Sequence, residues 1–236
     1  MANILILGAS CQIGQELAVR FSGNNTLYLC GRNQLTLDLI ANKCLESGAE
    51  KVTVVCCDLS TGMDQIFEAV VNSQLNLIIN LVAATSRTMD DDFAPQLFES
   101  YIFSDLLVPI QLVKKISINS KKHPDVIFIS SVLASIKSPN KEMYSALKIL
   151  QEIYWERLFR QNNSGSLLIV RVGKKIPYSA SSFMAKDLAN KTYKNYKLSN
   201  NVLNYGWEGK LYLLLFHLHP ILSQWLIRAH RAIRIK

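Results

Sequence analysis

Six short apolar runs alternate with longer stretches of helical periodicity, and this alternation constrains the chain more than any other feature. The runs at residues 4–7, 27–30, 52–56, 77–81, 126–130 and 167–172 are rich in Val, Ile and Leu, and a weaker one lies at 202–205. Helical spacing fills the intervals at 13–21, 34–47, 64–71, 98–118, 143–160 and 185–196. Strands that are apolar on both faces and separated by helices must run parallel, because a helical crossover returns the chain in the same direction. The predicted fold class is α/β: a doubly wound, Rossmann-like parallel sheet in a three-layer α/β/α arrangement.

At 236 residues and 49% apolar, the chain can bury one large core, and disorder, collagen and coiled coil are excluded. No repeat, low-complexity segment or Pro/Gly-rich linker interrupts the pattern. A single domain over residues 1–208 is expected, followed by an apolar and basic segment at residues 209–236. Asp90, Asp91 and Asp92 read as a solvated loop after the fourth strand. Met1 leads almost directly into the first strand with no basic n-region or cleavage signature, so no secretory leader is expected. Cys11, Cys30, Cys44, Cys56 and Cys57 form no CxxC motif and are odd in number, which fits a reduced, cytoplasmic compartment.

The net charge of +8 is unevenly placed. Up to Val172 there are 15 Lys plus Arg against 16 Asp plus Glu; from Gly173 onward there are 11 against 2. An excess confined to the C-terminal quarter points to an anionic surface as partner, or to a solvated basic tail.

Gly8, Ala9, Ser10, Cys11, Gln12, Ile13 and Gly14 join the first strand to the first helix. There the pyrophosphate of a dinucleotide rests against the N–H groups of a helix N-terminus. Gly8 permits the tight turn and Gly14 the close packing of helix on sheet, with Ser10, Cys11, Gln12 and Ile13 completing the cradle. The second strand ends Leu29, Cys30, Gly31, Arg32, Asn33, with no carboxylate to hold the ribose hydroxyls of NAD. That favours NADP(H), with the planar guanidinium of Arg32 on the 2′-phosphate and Asn33 beside it.

The first turn resembles that of the short-chain dehydrogenase/reductase family, whose extended members carry G-x-x-G-x-x-G here; Cys11 stands at the middle glycine. Asp58 and Leu59 follow the third strand like the family's adenine-contacting pair. Asn80, Leu81, Val82, Ala83 stands where many members have N-N-A-G, matching at Asn80 and Ala83. Val172 and Gly173 replace the usual Pro-Gly after the sixth strand, and Pro177 takes the place of a threonine that often bonds the carboxamide. The resemblance runs from Ala2 to about Val172.

Tyr144 and Lys148 lie four apart on one face of a helix, thirteen residues after Ser131 at the end of the fifth strand. Tyr193 and Lys197 share the spacing but have no strand and serine ahead of them, and read as a solvated helix face. Hydride transfer to a carbonyl carbon needs a proton partner at the oxygen, and a free tyrosine, with a pKa of about 10, is a poor one near neutrality. A cation nearby favours the phenolate. In the family's terms Tyr144 is the acid/base, Lys148 holds the ribose hydroxyls and lowers the phenol's pKa, and Ser131 polarises the substrate oxygen. Both Tyr144 and Lys148 thus touch the cofactor. Asp105 stands where members carry a helix asparagine supporting a water that leads to the lysine.

Between Pro177 and the helix near Ala185 there is little room for a substrate-covering insert, so an open site is expected. The stretch from Leu211 to Ile227 is 17 residues long and is interrupted by His217, His219, Pro220, Ser223 and Gln224, which makes a membrane span improbable. Trp225 with Arg228, Arg231, Arg234 and Lys236 beyond it fits a peripheral anchor on anionic lipid; a final core strand and helix, or a subunit contact, is the other reading. His217 and His219 have no cysteine or carboxylate cluster beside them, so no metal is expected. Nucleic acid is not expected as a partner, because aromatic platform, zinc signature and helix-turn-helix pattern are all lacking.

The sequence therefore points to an NADP(H)-dependent reductase turning a ketone, in a small-molecule or lipid-linked substrate such as a polyprenyl-linked sugar, into an alcohol. A reductase of soluble sugar phosphates for surface polysaccharide, and a non-catalytic NADP(H)-sensing protein, are the alternatives. A homodimer or homotetramer is implied by the resemblance, with Tyr101, Leu107, Tyr154 and Trp155 available for a contact or for the core.

Overall fold

Residues 1–82, 95–120, 122–135, 142–162, 165–173, 182–206, 210 and 214 are described by a computed structural model. In chain order the elements are β1 (Asn3–Leu7), α1 (Gln12–Arg20), β2 (Thr26–Gly31), α2 (Gln34–Glu46), β3 (Lys51–Cys56), α3 (Met63–Val70), β4 (Leu77–Asn80) and α4 (Pro95–Tyr101). A π-helical stretch (Ile102–Leu107) continues into α5 (Val108–Ile118), followed by β5 (Asp125–Ser131), a 3₁₀ turn (Val132–Ala134), α6 (Glu142–Asn162), β6 (Leu167–Val172), α7 (Ser182–Lys197) and β7 (Val202–Tyr205).

All seven predicted strands are present, each end within one residue of its expected place. They form one parallel sheet in the order β3-β2-β1-β4-β5-β6-β7. The central strands β1, β2 and β4 are buried almost throughout, as both-face covering requires, whereas edge strand β3 exposes its first residue.

Alternate side chains of each strand feed two apolar layers. Leu5, Leu7, Ile78, Val126 and Phe128 face α3, α5 and α6, where Leu112, Ile116, Leu147 and Trp155 meet them. Ile4, Ile6, Leu27, Leu29, Ile127 and Val170 face α1, α2 and α7, against Leu17, Ala18, Leu37, Ile40 and Leu188. Trp155 is thus a core residue, 1% exposed and tilted against Phe128, and takes no part in a surface contact; Leu107 and Tyr154 are exposed and Tyr101 half-buried.

Two helical expectations need correction. The helix expected at 98–118 begins at Pro95 and passes through a π turn. Tyr193 is half-buried rather than on a solvated face: α7 packs on α1, and the Tyr193 ring meets Phe21 edge-on at 4.9 Å with the Arg20 guanidinium 4.5 Å from its centroid. Lys197 remains exposed over the same ring.

Order reverses between β1 and β4, whose neighbours lie in opposite directions along the sheet. At such a switch point the loops leaving the carboxyl ends of the strands part and open a crevice. Because the sheet is parallel, the ends of β1 through β6 all reach this edge.

Candidate active site

The β1–α1 turn is fixed by its backbone. Gly8 and Ala9 N–H both donate to the Cys30 carbonyl, at 3.0 and 2.9 Å, and Cys11 N–H donates to the Gly8 carbonyl at 3.2 Å. Gly8 has a φ of +86°, the left-handed region that favours glycine. A Cβ on Gly14 would lie 2.6 Å from the Gly8 carbonyl oxygen and 2.9 Å from Ala9 Cα, which explains the second glycine as close packing.

Cys11 caps α1: its Sγ accepts from Gly14 N–H at 3.3 Å. Burial pushes this thiol's pKa up, so it stays neutral and sets no negative charge against the helix N-terminus. Gln12 and Ile13 form the first turn of α1, and the Ser10 carbonyl accepts from Gln15 Nε2 at 3.2 Å. Gly31, at the end of β2, gives Ser10 its room, since a Cβ there would lie 2.8 Å from Ser10 Oγ.

Arg32 extends into solvent at the end of β2, with Nη1 3.8 Å from Asp58 Oδ2 at the end of β3. Asp58 accepts from both Ser60 N–H and Ser60 Oγ–H, at 2.9 and 2.6 Å, and these bonds, with Arg32 adding less, hold its carboxyl below the usual range. Asn33 caps α2, its Oδ1 accepting from Thr36 N–H at 2.9 Å, and Leu59 packs into the core. Asn80 is fully buried at the end of β4. Its Oδ1 accepts from Val82 N–H at 3.0 Å, while Nδ2 has no partner among the described residues. Ala83, Pro177, the Asp90–Asp91–Asp92 triplet and, apart from residues 210 and 214, the segment 209–236 lie outside the described residues.

At the other end of the crevice, Ser131 closes β5 and its Oγ accepts from Leu133 N–H at 3.2 Å. The 3₁₀ turn that follows packs against α6, which carries Tyr144, half-buried, and Lys148, 1% exposed. Lys148 Nζ is 5.8 Å from the Tyr144 ring centroid and 5.1 Å from that of Phe128, with no hydrogen-bond partner among the described residues. Desolvation lowers its pKa from 10.5 to about 8, against the opposing pull of Asp105 and Glu152. Asp105 lies in the π stretch, buried. Its Oδ1 accepts from Ser104 Oγ–H at 2.9 Å, and its carbonyl accepts from Gln151 Nε2 at 2.8 Å. Val172 is half-buried at the end of β6, and Gly173 N–H donates to the Tyr205 carbonyl at 2.8 Å.

A buried ammonium and a buried amide without partners among the described residues, at a sheet edge whose first helix N-terminus is kept uncharged, would suit a polyhydroxylated, anionic dinucleotide. Glu152 and Arg171 were missed by sequence reasoning. Their legible signals were an acid one turn beyond Lys148 on the same helix face and an arginine inside the apolar run of β6.

Residues 2–192 match the family described as short chain dehydrogenase. The chain belongs to that family. A hydroxysteroid 11-beta-dehydrogenase 1-like protein of Gallus gallus is 25% identical over 166 residues, 66% of this chain and 57% of that relative. The chain thus spans less than two thirds of that relative's length. An alcohol dehydrogenase from the archaeon Thermococcus sibiricus, solved with 5-hydroxy-NADP, superposes with a TM-score of 0.76 at 17% identity, covering 87% of this chain and 96% of its own. The bulky-bulky ketone specific alcohol dehydrogenase of Comamonas testosteroni gives 0.77 at 16% identity, covering 95% and 94%. At such identities the likeness is one of fold.

Proposed function

We propose that the chain is an NADP(H)-dependent reductase that converts a ketone to an alcohol with Tyr144 as the proton donor. The observation that carries this reading is Lys148, buried one helical turn from Tyr144 with no hydrogen-bond partner among the described residues, at the sheet edge where Ser131 ends β5. The cofactor supplies the hydride. Tyr144 gives its proton to the carbonyl oxygen as negative charge develops there, Lys148 stabilises the resulting phenolate, and Ser131 donates a hydrogen bond to the same oxygen. Lys148 and Asn80 hold the ribose and nicotinamide side, and residues 8–14 the pyrophosphate.

Arg32, exposed and with a long contact to Asp58, would exchange that carboxylate for a 2′-phosphate, which supports NADP(H) as the cofactor. Only residues 173–181 separate β6 from α7, which favours a large ketone, lipid- or polyprenyl-linked, over a small one enclosed by an insert. Among the described residues no helix is long and apolar enough to cross a membrane. The segment 209–236 is the proposed peripheral contact with anionic lipid, tested by co-sedimentation of full-length and truncated protein with anionic vesicles. Exposed Phe103, Leu107, Leu150, Ile153 and Tyr154 offer an apolar face for a second subunit.

The central test is NADPH oxidation across a ketone panel by wild type and Tyr144→Phe. Loss of about 10²–10⁴-fold in kcat is expected from removing a general acid. Tight cofactor binding with no tyrosine-dependent turnover would instead identify a cofactor sensor.

A further inference from the structure

We propose that Glu152 is a positioning residue: with Arg171 and Ser130 it ties the ends of β5 and β6 to α6, holding Ser131 and Lys148 in one frame. The inference rests on the catalytic reading of Tyr144 and Lys148. Glu152 is 6% exposed and sits one turn beyond Lys148, so both project from the same face of α6. Its carboxylate is fully engaged. Arg171 Nε donates to Oε1 and Oε2 at 3.0 and 3.1 Å, Arg171 Nη2 donates to Oε2 at 2.6 Å, and Ser130 Oγ–H donates to Oε1 at 2.6 Å.

Ser130 and Arg171 are cross-strand partners in the β5–β6 register, and the next pair is Ser131 with Val172. One side chain therefore fastens two strand ends immediately before the residues that reach the crevice. A buried ion pair is a poor source of stability, because desolvation offsets much of its attraction, and apolar residues of similar volume fill such space as well or better. What it supplies here is a fixed geometry among three elements, each carrying one part of the site.

The charged and titratable groups around Lys148 are Tyr144 and Glu152 on α6 and Asp105 on the π stretch, with Arg171 of β6 behind Glu152. Removing the Glu152 charge leaves Asp105 as the one carboxylate beside the ammonium among the described residues that act on it.

Two measurements on the full chain test this. In the first, lysines are labelled with ¹³C at Cε and Lys148, identified by its absence in Lys148→Met, is titrated by NMR. Glu152→Gln is expected to lower the midpoint by about half to one unit, a roughly three- to tenfold loss of proton affinity, while Glu152→Asp keeps the wild-type value. In the second, kcat and KM for NADPH-dependent reduction are measured against pH. Glu152→Gln is expected to lose about tenfold or more in kcat, with KM little changed and the alkaline limb moved to lower pH. The doubly neutral Glu152→Gln/Arg171→Met variant guards against misfolding: its thermal stability should equal or exceed that of wild type while its kcat stays low. A stable double variant with wild-type kcat overturns the proposal, as does an unmoved Lys148 midpoint in Glu152→Gln. Absence of any Tyr144-dependent turnover would defeat the catalytic reading instead, and the Lys148 titration then decides the positioning role by itself.

Discussion

Arg32 and Asp58, at the ends of β2 and β3, face each other across 3.8 Å with both side chains open to water, whereas Arg171 and Glu152 meet at 2.6 Å with little of either exposed. Both pairs lie near the same edge of the same sheet. An exposed pair contributes about 0–1 kcal/mol and reorganises easily, so it suits a place where a ligand group must displace a protein one. A buried pair fixes atoms in place at a desolvation cost, which suits a place where reacting atoms must be held. The difference divides the crevice into an adaptable end and a rigid end.

Lys148 offers the largest break in that comparison. Its pKa is about 8 in the folded chain and 10.5 when unfolded. Below pH 8 both states carry the proton, and the folded state bears the full cost of a buried ammonium. Between pH 8 and 10.5 the unfolded chain keeps a proton that the folded chain has shed, so this group's contribution to stability rises with pH, by about 3 kcal/mol in all. Urea unfolding of wild type and Lys148→Met across this window should show wild type gaining that much relative to the variant. The raised thiol and phenol pKa values are common to both proteins and cancel in the difference. A flat difference would mean that the rigid end is wetter than its burial implies.

Gly14→Ala comes next. The added Cβ meets backbone atoms of Gly8 and Ala9, so relief requires the turn itself to move, and this outweighs alanine's better helix propensity. A loss of about 1–3 kcal/mol in urea unfolding is expected, with weaker NADPH binding by calorimetry. Smallest is the effect at the adaptable end. Arg32→Ala should weaken NADPH about tenfold, leave NADH unchanged, and shift stability by no more than about 0.5 kcal/mol. Equal weakening of both cofactors would remove Arg32 from the 2′-phosphate.

The adaptable end was largely legible in the sequence. Gly8, Arg32 and Asp58 follow strand ends, which are marked by where an apolar run stops, and Gly14 lies in the first turn of the helix that comes next. The rigid end was legible only in part. Tyr144, Lys148 and Ser131 follow a spacing and Arg171 stands out inside an apolar run, but Glu152 and Gln151 look like ordinary surface residues until a neighbouring element buries them. A charge's burial depends on a partner supplied from elsewhere in the chain, and local pattern carries no record of it. Tyr193 was misread for the same reason, since its partial cover comes from Arg20 and Phe21 at the C-terminal end of α1. The π turn has no composition of its own and was invisible for that reason.

That wide turn at Ile102–Leu107 also governs which alterations in length the chain tolerates. A π turn amounts to one residue more than an α-helix needs, so excising a single residue there would restore regular hydrogen bonding and leave Pro95–Tyr101 facing nearly the same way relative to α5. Phe98 and Tyr101 would keep their place on the core, while Asp105, inside the wide turn, would shift relative to Lys148. The surplus residue thus sets where Asp105 sits rather than how the two helical halves face, and its loss would be felt at the crevice before it was felt in the core.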